Sequence, residues 1–197
     1  MKLDTTFYLN PDVVEVARAL MGKVLFTRIN NQVTAGIITE TEAYNGVIDK
    51  ASHAYGGRRT PRTEIMFQQG GTAYVYLCYG IHSLFNVVTN AEGIPHAVLI
   101  RAVKPYKGEK LMQLRRYPAL PGRSLYNGPG KVCVALGIHY SLSGTSLMSS
   151  KIWIEDKGIS ILKNNVEITP RIGVDYAGLD ALLPYRFNVK DTGIISL

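Results

Sequence analysis

Glu40, Glu42, Tyr44 and His53 fall within the fifteen residues from Thr39 to His53. Read as a continuation of the apolar run Ala35-Gly-Ile-Ile38, residues 37–44 form a strand, and its alternation puts Glu40, Glu42 and Tyr44 on one face. A carboxylate beside a tyrosine, with an imidazole close behind, has the ingredients of general-base chemistry on a planar ligand: the acid accepts a proton and the rings grip the ligand. Position alone leaves two readings of Glu42 open. Most carboxylates are solvated, which favours an exposed strand acid, whereas the neighbouring rings favour a base held in a pocket wall.

A second group of aromatics follows in Thr72-Ala-Tyr-Val-Tyr-Leu-Cys-Tyr79. Alternating tyrosines in a strand are ordinarily half-buried packing residues, and that suffices for Tyr74. Tyr79 differs, because it stands beside Gly80 where a hairpin should turn, with Ile81 next. An exposed apolar tip flanked by basic loops suits a wedge that enters a base stack. His82, His96 and His139 are isolated from acids and from one another. Cys78 and Cys133 lie in apolar runs without a CxxC spacing, so two buried free thiols are expected and no zinc site or disulfide. Neither a Ser-His-Asp order, a phosphate-cradling Gly-Lys-Ser/Thr nor a dinucleotide fingerprint occurs, and no cofactor or metal is expected.

Charge is concentrated. Residues 58–131 hold eleven Lys or Arg against three acids, a surplus of eight, while the whole chain carries +7. A positive surface confined to one part of a fold suits a polyanionic partner, nucleic acid before an anionic membrane, although a solvated face has the same composition. Arg58, Arg59 and Arg62, in the loop-like stretch 45–63, are candidate phosphate contacts. So is Lys131, behind the turn Asn127-Gly-Pro-Gly130, where a helix start would offer free backbone N–H groups.

Elements must position these groups. Asn10 as cap, Pro11 at the first helical position and Gly22 as stop define one amphipathic helix. Lys23–Ile29 and Gln32–Tyr44 flank the Asn30-Asn31 turn as an antiparallel hairpin. Residues 72–79, 84–89 and 97–104 read as consecutive antiparallel strands, 109–116 and 131–136 as short helices, 117–129 as a long irregular connection, and 152–155, 166–172 and 185–189 as further strands. With 197 residues and 46% hydrophobic composition the chain can bury a core of one domain. No run of eighteen apolar residues and no apolar signal core is present, and a cytosolic protein is expected.

As a set, Glu40-Thr-Glu-Ala-Tyr44, Ala51-Ser-His53, Thr60-Pro-Arg62, Met66-Phe67, Tyr74-Val-Tyr76, Tyr79-Gly80, Asn86-Val87, Leu99-Ile-Arg101, Gly128-Pro-Gly-Lys131 and Arg171-Ile-Gly173 resemble the alkyladenine (3-methyladenine, methylpurine) DNA glycosylase family, as a bacterial-type member. The resemblance keeps its order from the N-terminal helix to Phe187. Two departures stand out. Gln69-Gly70-Gly71 replaces a Pro-Gly turn, and two residues are added between Asn86 and Arg101 relative to vertebrate members, in the loop-like stretch 90–95.

The resemblance implies that Glu42 is the base that activates water for attack on the sugar C1′ of a flipped-out nucleotide, with Arg101 positioning the water and the nucleotide's phosphate. Tyr44 and His53 would form one wall of the base pocket and Tyr76 the other, Asn86 would reject the amino group of guanine, and Ile172 would lie near the water and base. Tyr79, with Ile81 beside it, would fill the gap in the duplex. Glu40 is given no chemical task. With the elements above, the expected fold is α+β, a single domain over 1–197 with a curved, mainly antiparallel β-sheet flanked by helices and long loops.

The expected activity is hydrolysis of the N-glycosidic bond of 3-methyladenine, 7-methylguanine, hypoxanthine or ethenoadenine in double-stranded DNA. It would be carried out by a monomer without an obligate protein partner, associated with the nucleoid. The alternative is a non-catalytic nucleic-acid-binding module using the same tyrosines and basic surface. A hydrolase of free nucleosides would have no need of the basic segment.

Overall fold

The computed structural model describes residues 1–117 and 125–190 and the backbone of 194–195. The connection expected over 117–129 lies at 118–124 outside the described residues. Helices α1 (Thr5–Tyr8) and α2 (Val13–Ala19) precede the strands β1 (Val24–Ile29), β2 (Gln32–Asn45), β3 (Ala73–Cys78), β4 (His82–Thr89) and β5 (His96–Lys107). Then follow α3 (Glu109–Arg115), α4 (Pro129–Leu136), β6 (Ile152–Glu155), β7 (Ser160–Ile161), β8 (Val166–Thr169), β9 (Arg186–Val189) and β10 (Ile194–Ile195). The architecture is α+β, as expected, and every strand pairing among the named strands is antiparallel.

Strand β2 is the spine. The sheet runs in the order β3-β4-β5-β2-β1-β6, and β9, flanked by β8, pairs with β2 beyond the end of β1. Thus β5 covers one edge of this fourteen-residue strand, while β1 and then β9 share the other. The hairpin β1–β2 turns at Asn30 and Asn31, both at positive φ, the conformation asparagine tolerates best after glycine. On one face, Leu25, Ile38, Ala43, Phe85, Val98 and Ile100 form the main core with α2 and α4.

Helix α2 begins two residues later than the sequence suggests. Asp12, not Asn10, is the cap: its carboxylate accepts from the N–H groups of Val14 and Glu15, and Asn10 Oδ1 holds the N–H of Asp12 in the preceding turn. Two strands are also corrected. The one expected over 166–172 stops at Thr169, freeing 170–174 as a loop, and β4 starts at His82.

Two β-bulges set the chemistry of the sheet. Along β2 and β5 the partners run Ile38–Val103, Glu40–Ala102, Thr41–Ile100, so Thr39 and Arg101 are each an extra residue. Ile38 and Ala43 lie in the core, and Thr41 donates to the carbonyl of Ala17 in α2 at 2.9 Å, so Ile38 and Thr41, three apart, face the same side. Strict alternation would have put Glu40 and Glu42 on the core side with Ile38. The extra residue turns them to the opposite face, and the second bulge turns Arg101 to meet them.

The Gln69-Gly70-Gly71 stretch passes the end of α1 at contact distance. A Cβ on Gly70 would overlap the carbonyl oxygen of Tyr8 and lie 2.9 Å from that of Asn90. Backbone atoms on both sides cannot yield, which explains the glycine. Gly70→Ala should therefore lower stability by about 1–3 kcal/mol, the usual cost of overpacking, seen as a lower urea midpoint; an unchanged midpoint would remove this account.

Candidate active site

Glu42 is fully buried at 0% exposure and is held by donors from three segments. The Tyr44 hydroxyl donates to Oε2 at 2.9 Å, Arg101 Nη1 donates to the same oxygen at 3.3 Å, and the Ile172 N–H donates to Oε1 at 2.8 Å. A carboxylate offers about four lone-pair sites; among the described residues three are taken, and the fourth lies on Oε1. Burial nevertheless dominates. It pushes the Glu42 carboxyl above its ordinary value, against the pull of Arg101, the Ile172 N–H and the Tyr44 hydroxyl.

Glu40 is buried beside it and receives two guanidinium groups on one oxygen, Arg101 Nε at 2.9 Å and Arg186 Nε at 2.6 Å. Arg186 reaches there from β9 and also donates to the Thr169 hydroxyl at 3.0 Å. Arg101 therefore bridges both carboxylates.

Behind Tyr44 lies a third pair. Arg171 and Asp49, both buried, form a bidentate ion pair, and Arg171 further donates to the carbonyls of Ala43 at 2.8 Å and Asp180 at 3.1 Å. The Asp49 carboxylate also accepts the N–H groups of Asn45 and Ala51, 3.0 Å each. This pair ties the loop after β2 to the loop carrying Ile172, and the Arg171 guanidinium lies 4.9 Å from the centre of the Tyr44 ring.

The partners of Glu42 open onto a cavity of about 440 Å³, lined by Tyr44, Arg101 and Ile172 and by His53, Tyr76 and Asn86. Glu42 itself sits one layer behind that wall. His53 touches Tyr76 edge to face at 4.7 Å, and Tyr76 packs with Tyr74, Met66 and Phe67, whereas Tyr44 packs with Ala51, Val174 and Ala177. His53 thus belongs with Tyr76, and Tyr44 stands in the other cluster. Spacing shows which face a ring takes, but not which ring it touches.

Burial, reinforced by Arg62 and Arg58, lowers the His53 pKa to about 4, so its imidazole is neutral at neutral pH. Its Nδ1 lies 2.9 Å from the Tyr74 hydroxyl. Asn86 is buried, with Nδ2 donating to the carbonyls of Tyr74 and Leu84 at 3.2 and 3.4 Å, which fixes its amide plane.

The model of the family described as methylpurine-DNA glycosylase matches residues 6–193. The chain belongs to this family. A Chlamydia felis protein named "Putative 3-methyladenine DNA glycosylase" is 50% identical over 191 residues, 95% of this chain and 97% of its own. Namesakes in Chlamydia abortus and Desulfitobacterium hafniense are 50% identical over 186 residues and 43% over 203, covering 94% and 100% of this chain and 96% and 98% of theirs. It is thus a DNA repair glycosylase, a hydrolase of N-glycosyl bonds.

In the glycosylase, Tyr79 tips the β3–β4 hairpin with 93% exposure, and Ile81 beside it is 73% exposed. Tyr79 and Gly80 both take positive φ, 51° and 71°, and the Ile81 N–H donates to the Cys78 carbonyl at 3.1 Å. A tyrosine in a left-handed position is strained. Cys78, expected buried, is half-buried and lines the cavity, while Cys133 is buried with its thiol pushed to about 12. Arg62 lines the cavity and Arg58 is exposed, but Arg59 is engaged by Glu64 at 2.7 Å and lies over the Phe67 ring. Lys131 lies in the first turn of α4, whose first residue, Pro129, reaches the cavity. Among the described residues there is no cluster of three or more His, Cys, Asp or Glu that could hold a metal and no helix long and apolar enough to cross a membrane.

Sequence reasoning gave no role to Arg171, Asp49 or Arg186. Arg171 was visible in the motif Arg171-Ile-Gly173, but its partner stands 122 positions away. Removing one member of a buried pair leaves a bare charge and typically costs 3–5 kcal/mol, so Arg171→Ala should lower stability by about that much; a surface-like loss below about 1 kcal/mol would contradict the burial. Glu42 carries the opposite sign from most carboxylates. Its raised pKa favours the folded state when protonated, so stability from this group is present at acid pH and lost as pH rises through the folded value. Glu42→Gln should accordingly gain in melting temperature over the wild type as pH rises from 4 to 8.

Proposed function

We propose that the glycosylase excises damaged purines from double-stranded DNA by flipping the nucleotide into this cavity and hydrolysing its N-glycosidic bond. The observation that carries the reading is Glu42: a fully buried carboxylate with one lone-pair site unused, behind the wall of a cavity large enough for one base. A binding module that merely stacks bases gains nothing from desolvating a carboxylate, which works against stability.

In this reading a water bound at the free site of Oε1 loses a proton to Glu42 as its oxygen bonds to C1′, and the electron pair of the broken C1′–N bond leaves with the base. A cationic base such as 3-methyladenine or 7-methylguanine departs neutral. Hypoxanthine and ethenoadenine need a proton or hydrogen bond from the cavity as they leave. Tyr44 faces one side of the base, with His53 and Tyr76 on the other, and Tyr79 fills the vacated stack with Ile81 beside it. Arg101 holds the water and the nucleotide's phosphate, and Arg58, Arg62 and Lys131 hold the backbone. No lysine lines the cavity among the described residues, so water, rather than an amine that would go on to a Schiff base, attacks C1′ and an abasic site remains.

Glu42→Gln should reduce single-turnover release of hypoxanthine or 3-methyladenine from duplexes by about 10²–10⁴-fold, the range a general base supplies. Duplex affinity should be unchanged. Unaltered release would take Glu42 out of the mechanism. In the wild type the rate should fall as pH drops through the raised Glu42 pKa, an acid limb above the ordinary carboxylate range.

Tyr79→Gly separates wedge from scaffold. Because φ is positive there, glycine relieves strain, and the variant should match or exceed wild-type stability while losing excision from duplex. Excision retained at the wild-type rate would deny the wedge.

A further inference from the structure

Arg101 makes its shorter contact with Glu40, not with the carboxylate expected to be the base. Its Nε lies 2.9 Å from Glu40 Oε1, whereas only Nη1 reaches Glu42, at 3.3 Å. A guanidinium left to itself prefers to clamp a carboxylate through two parallel N–H···O bonds. Here that fork is divided, because Nε is committed to Glu40 on the neighbouring pleat position. Arg186, from β9, completes the arrangement by donating to the same Glu40 oxygen at 2.6 Å.

We propose that Glu40 is a positioning residue for the glycosylase reaction: it occupies one edge of Arg101, prevents a two-pronged clamp on Glu42, and so preserves the lone pair of Glu42 that receives the proton. The inference rests on the reading of Glu42 as the base. A clamp would engage Oε1 as well as Oε2, taking the one lone-pair site that the Ile172 N–H leaves open. It would also make Glu42 a weaker base.

The charges around Glu42 give a direction to each change. Arg101 faces it from β5, Glu40 and Tyr44 from β2, Arg186 from the paired position on β9, and Arg171 and Tyr176 from the segment after β8. Burial raises the Glu42 pKa first; among the charges, Arg101 opposes that and Glu40 adds to it. Removing the Glu40 charge therefore lowers the basicity of Glu42 twice, directly and by releasing Arg101. Removing Arg186 acts the other way, since a cation is lost and Glu40 draws Arg101 more strongly.

The test is a titration of Glu42 in the free protein with ¹³C-carboxyl glutamate, its resonance assigned by its absence from Glu42→Gln. Single-turnover release from a hypoxanthine duplex is followed over the same pH range. In Glu40→Gln the Glu42 midpoint should fall by about 1 pH unit, the size that a nearby charge imposes. The rate plateau should drop with duplex affinity unchanged. Arg186→Gln should move the midpoint upward, so either variant alone keeps the test alive if the other fails to fold. An unmoved or raised midpoint in Glu40→Gln, or a lowered one in Arg186→Gln, overturns the proposal. Because the titration needs no catalysis, that failure is distinct from failure of the parent reading, in which Glu42→Gln would still release base.

Discussion

Holding a carboxyl group away from water is the constraint to which the rest of this structure answers. Glu42 has no solvent contact, and desolvating a charge costs several kcal/mol unless hydrogen bonds replace the water. The replacement donors come from separate parts of the chain: a hydroxyl two residues along the same strand, a guanidinium on β5 and a backbone N–H from the loop after β8. None of them fully offsets burial, since the Glu42 pKa is still raised. A residue held in that balance is ionisable yet basic, which is the condition a general base must meet.

Each donor then places a demand on the fold. Arg101 reaches Glu42 only because β5 carries an extra residue to match the bulge of β2; with one bulge and not the other, acids and guanidinium would lie on different faces of the sheet. The Ile172 N–H comes from the loop whose preceding residue, Arg171, is locked to Asp49. Buried ion pairs contribute little net stability compared with apolar packing. The bidentate Arg171–Asp49 pair is better understood through geometry: it binds two loops to each other and to the carbonyl of Ala43 beside Glu42, an anchoring that apolar side chains could not direct.

How much of this was legible depended on whether the information was local. Asn30-Asn31 marks its own turn, since asparagine tolerates positive φ, and the alternation of Glu40, Glu42 and Tyr44 states a shared face. Bulges leave no such mark. Thr39 and Arg101 look like ordinary strand residues, and only pairing shows them to be extra, so the sequence suggests Ile38 and Glu40 on one face where the structure separates them. Asp49 and Arg171 were invisible as a pair because 122 residues intervene, and Asp12 displaced Asn10 as a cap because its carboxylate takes two N–H groups rather than one. The contact of His53 with Tyr76 was not legible, because it joins a loop to a strand and no periodicity encodes it.

The site also holds its tension in two different forms. At the hairpin tip the strain is local, of order 1 kcal/mol, because one exposed tyrosine sits at positive φ. At Glu42 it is electrostatic and distributed, because the unfavourable burial is shared among Glu40, Arg101 and Arg186 as well as Glu42 itself. The first can change without disturbing the sheet, since Tyr79 touches solvent on nearly every side. The second cannot: Glu40 and Glu42 lie on β2 between Arg101 on β5 and Arg186 on β9, so altering one charge changes the surroundings of the other three. The hairpin tip is therefore free to change shape, whereas Glu42 is fixed by the same pairing that holds β2 at the centre of the sheet.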